Sequence, residues 1–176
     1  KGDAKAQYDL GLRFKYGKGV EKDVKEAVAW FRKAAEQGVA KAQYNLGNMY
    51  ATGKGVLEDD KEAVKWYRKA ANQGNAMAQF AVGQKYHFGE GVGKDLKEAA
   101  KWYRKAAEQG NSFGQLKFGI MSLVGQGVPE DNKKAVKLIR KAANQGNAMA
   151  QHTLGVMYYN GEGVLANNVA AYAWFN

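Results

Sequence analysis

A single step of 36 residues runs through this chain without one insertion, and it constrains the fold more than any other feature. Gly2, Gly38, Gly74, Gly110 and Gly146 keep that step, as do Gly11, Gly47, Gly83, Gly119 and Gly155. The turn-type pairs Gly17/Gly19, Gly53/Gly55, Gly89/Gly91, Gly125/Gly127 and Gly161/Gly163 keep it too. The stretch from Lys69 to Gln79 is repeated letter for letter from Lys141 to Gln151. Self-similarity at this period is the signature of stacked supersecondary units, each too small to bury its apolar face alone. We read residues 1–176 as one array with units 2–37, 38–73, 74–109, 110–145 and a partial 146–176. The chain opens at Lys1 rather than Met and stops inside the fifth unit, so a longer natural array is expected.

Each unit reads as two helices. The first spans about Ala4 to Tyr16, with Asp3, Asn75, Asn111 and Asn147 as N-caps whose side-chain oxygens accept from orphan amides; Val39 departs. The second begins after Asp23, Asp59, Asp95, Asp131 or Asn167 and ends near Glu36, before Gly38. Glu26, Glu62 and Glu98 follow their caps at capping-box spacing. Val24, Ala27, Val28, Trp30, Phe31, Ala34 and Ala35 fall within one helical arc of about 160°, with Lys25, Glu26, Arg32, Lys33 and Glu36 opposite. On the first helix Ala6, Leu10 and Phe14 form the buried side, with Gln7 and Gly11 beside them. A glycine inside a helix costs ~1 kcal/mol relative to alanine. Its recurrence at Gly11, Gly47, Gly83, Gly119 and Gly155 predicts a neighbouring helix too close for a Cβ. The expected fold is all-α: a right-handed α/α superhelix, or solenoid, of helix–turn–helix units, with no strand.

The order Gly-Asn-Ala-x-Ala-Gln-x-x-x-Gly-x-x-Tyr, then Gly-x-Gly-Val, then Asp-x-x-x-Ala-x-x-Trp-Tyr-x-Lys-Ala-Ala-x-Gln-Gly is clearest from Gly74 to Gly110. It resembles the Sel-one-like repeat, a relative of the tetratricopeptide repeat, over essentially the whole chain. The resemblance implies a superhelical adaptor that assembles other proteins. For bacterial members it implies a periplasmic, secreted or envelope-associated setting. The fourth unit departs most, with Ser112, Phe113, Gly114, Ser122, Leu138 and Ile139 in place of the usual types, which marks it for function.

Composition excludes several chemistries. There is no Cys, so disulfides, thiolate nucleophiles and Cys-ligated metals are out. The two serines, Ser112 and Ser122, have no histidine at hand for a Ser-His-Asp arrangement, and His87 and His152 stand in different units. Two isolated histidines give no metal-ligand spacing; we read His87 as a surface residue near a loop and His152 as a stand-in for Tyr or Phe. Gly89-Glu90-Gly91-Val92-Gly93 lacks the context of a phosphate loop and recurs as a turn. No catalytic residue, metal site or cofactor is therefore expected, and the chain is read as a non-enzyme. No apolar run approaches the roughly 20 residues of a membrane-spanning helix.

The net charge of +10 concentrates on the polar arc of the second helices, at Lys65, Arg68, Lys69, Lys101, Arg104, Lys105, Lys133, Lys134, Lys137, Arg140 and Lys141. Such a stripe is either a solvated face or a surface for anionic membrane or nucleic acid; without aromatic residues interleaved in it, nucleic acid is disfavoured. The first-helix positions of Lys5, Asp9, Leu12 and Tyr16 share a face. They become Lys41, Asn45, Asn48 and Thr52, then Met77, Ala81, Gln84 and Phe88, then Phe113, Lys117, Ile120 and Val124, then Met149, Thr153, Val156 and Asn160. Scaffold positions do not scatter in this way. A groove on this face, concave by the family resemblance, is expected to bind a protein or peptide partner through Met77, Gln84, Phe88, Phe113, Lys117, Ile120, Val124, Met149 and Val156. Two alternatives stand beside this non-catalytic scaffold: a peptidoglycan-fragment binder or hydrolase-like envelope protein, suggested by Cys-rich relatives whose paired cysteines are missing here, and a binder of anionic surfaces or nucleic acid through the basic stripe.

Overall fold

The computed structural model describes residues 2–175 and, among them, contains ten helices and no strand. They are α1 (Ala4–Tyr16), α2 (Val24–Glu36), α3 (Ala40–Thr52), α4 (Asp60–Asn72), α5 (Ala76–Phe88), α6 (Leu96–Glu108), α7 (Ser112–Leu123), α8 (Asn132–Asn144), α9 (Ala148–Asn160) and α10 (Asn168–Phe175). Two compact units form, Lys1–Lys94 with α1 to α5 and Asp95–Asn176 with α6 to α10. Within each, every helix packs on the next in sequence.

The helix starts follow from the caps. The Asp3 carboxylate accepts from the amides of Lys5 and Ala6 at 3.2 and 3.1 Å. Asn75, Asn111 and Asn147 each accept from an amide three residues on, at 2.8–3.0 Å, while Val39 makes no such bond. At the second helices one expectation is corrected. The Asp caps are present, but among the described residues no Glu side chain closes the box. The cap amides of Asp23, Asp59 and Asp131 instead donate to the carbonyls of Phe14, Tyr50 and Ser122 at 3.0, 3.0 and 2.8 Å. With that donor used at Asp59, Glu62 turns to Lys65 one turn along, and Glu98 pairs in the same way with Lys101. The bond to the preceding helix ties each hairpin together across its turn.

The mid-helix glycines are where the helices meet. A Cβ on Gly47 would stand 2.6 Å from the Tyr67 ring and 3.2 Å from the Ala63 carbonyl oxygen; on Gly119 it would stand 2.7 Å from Ile139. Neither distance is compatible with ordinary packing. Beside these glycines runs an amide ladder. Gln43 donates to the Ala35 carbonyl at 3.0 Å and accepts from Gln73 at 2.7 Å. In the other unit Gln115 donates to Ala107 and accepts from Gln145 at 2.7 Å. Each rung satisfies a carbonyl in the last turn of one second helix and fixes the first helix that follows, so a buried polar group serves as a register mark.

Burial also sets an alkaline limit. Removal from water pushes the phenols of Tyr67 and Tyr103 well above the ordinary 10.0. Above about pH 10 the unfolded chain loses these protons while the folded chain keeps them, so the native state binds more protons and stability falls as pH rises. Below that pH the contribution is fully present. Urea midpoints should be flat with respect to these groups from neutral pH to about 10 and then decline, and Tyr67→Phe should soften the decline. Midpoints unchanged well beyond pH 10 would contradict the burial argument.

Candidate functional site

In the Lys1–Lys94 unit the variable face is built by α1, α3 and α5. Its first part is polar and partly structural. Lys15 of α1 donates to Asn45 of α3 at 3.0 Å, and the Tyr67 hydroxyl donates to Asn48 at 2.7 Å. Leu12 packs against the core of Phe31, Leu46 and Met49. At α5 the face turns apolar: Met77 is exposed, Phe88 is 57% exposed and Gln84 is half-buried. Gln84 and Phe88 line one cleft of about 280 Å³ with Tyr67, Lys85 and Glu90.

Lys85 is the residue the sequence pattern does not single out. It is only 9% exposed and bonds Asp60 at 2.6 Å and Glu90 at 2.7 Å. Burial alone would lower its pKa, but the hydrogen bonds and charges of the two carboxylates outweigh it, so the ammonium is held above its usual range. The signal was a cation where Met49, Met121 and Met157 stand in other repeats (Arg13 holds the place in the first), together with a carboxylate at Asp60 where Val24, Leu96, Asn132 and Asn168 stand.

In the Asp95–Asn176 unit the face comes from α7 and α9. Phe113 is 47% exposed and Met149 is 59% exposed. Val124 is exposed too, as the C-cap of α7 with its amide donating to the Ile120 carbonyl at 3.1 Å. Lys117, Ile120 and Val156 are half-buried, and Ile120 packs onto the core of Leu116, Ile139 and Leu154. Ile120 thus belongs partly to inter-repeat packing. The Thr153 hydroxyl donates to the Met149 carbonyl at 2.7 Å, which turns it away from any partner.

Much of the basic stripe is already engaged. Lys33, Lys69 and Lys105 lie over the indoles of Trp30, Trp66 and Trp102 at 3.9, 4.1 and 4.4 Å. Lys65 and Lys101 pair with Glu62 and Glu98. Arg32 and Arg140 each donate to a tyrosine hydroxyl, on Tyr50 at 2.6 Å and Tyr158 at 2.7 Å. Trp66 and Trp102 are buried and act as core residues rather than stacking platforms. His152 meets Phe175 at 5.5 Å between centroids, the place Tyr8 takes against Phe31 at 5.8 Å, so it does substitute for an aromatic. His87 is half-buried with its ring 4.9 Å from that of Phe88. Among the described residues no cluster of three or more acidic or histidine side chains is arranged for a metal, and no helix is long and apolar enough to cross a membrane.

Paired helices locked by glycine contacts and amide rungs, with a first-helix face that varies from repeat to repeat, define an all-α repeat protein of the solenoid class. The chain belongs to the Sel1 repeat family, which matches at residues 4–39, 40–75, 76–111, 112–147 and 148–176. A Sel1 repeat protein from Oxalobacter formigenes is 40% identical with a TM-score of 0.93, over 98% of this chain and 68% of that one. A protective antigen of uropathogenic Escherichia coli is 42% identical with a TM-score of 0.92; the alignment covers 98% of this chain but only 37% of the antigen. The Helicobacter pylori cysteine-rich protein B is 28% identical with a TM-score of 0.58, over 76% of this chain and 96% of that one. Comparison with curated proteins gives no match. Sel1 repeats are generally non-catalytic scaffolds for protein interaction.

Proposed function

We propose that this chain binds protein or peptide segments on its first-helix faces, through Met77, Gln84 and Phe88 in the Lys1–Lys94 unit and through Phe113, Lys117, Ile120, Val124, Met149 and Val156 in the Asp95–Asn176 unit. The observation that carries this reading is the exposure of Phe113 on α7, of Val124 at its C-cap and of Met149 on α9, helices whose other large apolar residues, Tyr159 apart, are buried or half-buried. Large exposed apolar side chains grouped on one face mark interaction surfaces. The cations of the opposite arc, by contrast, are largely spent on indoles, tyrosines and carboxylates. The description of the E. coli relative as a protective antigen supports an envelope or secreted setting for this chain as well.

The test starts from a partner captured with a photo-crosslinking residue at position 149. Phe113→Ala or Met149→Ala should then weaken that partner's binding at least about tenfold, because apolar anchors dominate such grooves. Lys101→Ala combined with Lys137→Ala should change it by less, and circular dichroism should show each variant folded. If the lysine pair proves the more damaging and low salt restores binding, the face is wrong and the basic stripe is the site.

A further inference from the structure

Three repeats share one arrangement that the fourth lacks. An arginine late in each second helix reaches the aromatic residue of the next first helix. Arg32 meets Tyr50, Arg68 lies over the Tyr86 ring at 5.3 Å, and Arg140 meets Tyr158. The corresponding arginine on α6 is Arg104, and the residue it should meet is Ser122. The ring is missing, and Arg104 instead stands 3.6 Å from Glu108 in a solvent-exposed pair of little strength.

The hollow this leaves is part of a cleft of about 590 Å³ between α6, α7 and α8, all in the Asp95–Asn176 unit. That is the volume of an ordinary small-molecule site. Ser122 lines it, only 2% exposed. Phe118, where the other repeats carry Leu or Val, forms an aromatic wall with the Lys134 ammonium 4.6 Å from its ring centroid. Lys134 is itself a charge reversal, since Glu26, Glu62 and Glu98 hold that position elsewhere. Lys97, Lys101 and Arg104 line the same cleft. Its two acids are Glu130, which accepts from Asn132 at 3.2 Å, and Asp131, which caps α8 through the Lys134 amide at 2.9 Å. Beside it a second cleft of about 420 Å³ shares Arg104, Phe118 and Lys134. Its wall includes Leu138, where Trp30, Trp66 and Trp102 stand in other repeats.

One repeat has thus lost two aromatic rings, gained one at Phe118 and exchanged a carboxylate for an ammonium across two adjoining clefts that share Arg104, Phe118 and Lys134. We infer that this groove is a binding site for an aromatic ring carrying an anionic group. The ring would take the place that a tyrosine occupies in the neighbouring repeats, and the anion would lie against Arg104 and Lys134. The other repeats supply the template: a phenol in this position donates no charge problem to the core and brings its oxygen to the arginine at 2.6–2.7 Å. The site is distinct from the first-helix faces and stands whether or not those bind a partner. The same chemistry has two sources, a free aromatic acid and a tyrosine flanked by acidic residues in a peptide.

The probes are 4-hydroxyphenylacetate and the capped peptide Glu-Tyr-Glu, titrated into the whole chain by calorimetry and followed by amide shifts. Saturable binding with shifts at residues 97–104, 118–122 and 134–138 is expected. Ser122→Tyr refills the hollow and should weaken either probe at least tenfold, as should Arg104→Gln. If Ser122→Tyr folds poorly because Phe118 is in the way, Ser122→Tyr with Phe118→Leu restores the pattern of the other repeats and serves instead. Peptide binding at least tenfold tighter than the free acid assigns the site to a protein segment; equal affinities assign it to a small aromatic acid. No saturable binding at millimolar probe overturns the inference. So does binding that survives refilling, or shifts spread along the lysines of α4 as well.

Discussion

Gly127→Ala is expected to destabilise the Asp95–Asn176 unit by about 3 kcal/mol or more, whereas Gly110→Ala should cost only about 1 kcal/mol. Both glycines have left-handed backbone angles, φ 70° and 83°, so a side chain at either carries the same intrinsic strain. Their surroundings differ. Nothing lies within 4 Å of a Cβ built on Gly110. A Cβ on Gly127 runs into the Leu96 carbonyl and stands 3.0 Å from the Lys97 amide, backbone atoms that cannot step aside without moving the start of α6. From the second repeat on, the second glycine of the turn is thus a seat for the preceding repeat, as Gly55 is for the Val24 carbonyl, where a Cβ would come within 2.7 Å; Gly19 of the first turn has nothing within 4 Å. Urea unfolding of the two variants measures the difference, and equal losses would show that strain alone accounts for these glycines.

Lys85→Met is expected to cost about 2 kcal/mol, and adding Asp60→Val should return most of it. Breaking a buried ion pair by removing one partner typically costs 3–5 kcal/mol. The figure is reduced here because Asp60 and Glu90 keep 32% and 49% of their side-chain surface in water. The double variant re-creates the apolar pairing seen one repeat earlier, where Met49 and Val24 share a core. Replacing a buried ion pair with packed apolar groups is often neutral or stabilising. A double-mutant cycle by chemical denaturation reads the coupling directly. Additive losses would mean that the two residues do not act as a pair.

What repeats was legible in the sequence. Caps such as Asp3 and Asn147, the ends of α1 and α2 and the closeness implied by Gly47 follow from local propensity and one period, and these need no knowledge of neighbours. What depends on a partner elsewhere in the fold was not. The capping boxes failed because the Asp59 amide had already been taken by Tyr50, nine residues earlier in the chain. The pattern placed Gln7, the counterpart of Gln43, only beside the buried side, because the two bonds that give Gln43 its role reach Ala35 and Gln73. Lys85 was invisible as a buried cation because its compensating Asp60 lies in the preceding repeat. Ser122 stood out as a departure, yet its meaning required seeing that an arginine of the preceding repeat reaches that position. On the first-helix faces, the shift from Lys41 and Asn45 to Met77 and Phe113 was readable, but not that Ile120 would divide its surface between core and solvent.

The amide ladder has a consequence for how such a chain can change its length. The identical segments from Lys69 and from Lys141 each carry one glutamine from each of two successive rungs, Gln73 and Gln79 in the first and Gln145 and Gln151 in the second, together with the helix end, the turn and the cap between them. What is copied most faithfully is therefore the joint rather than the unit. A gene that recombined between these two stretches would lose or gain two repeats and leave no scar, since the splice would fall where the chemistry on either side is the same.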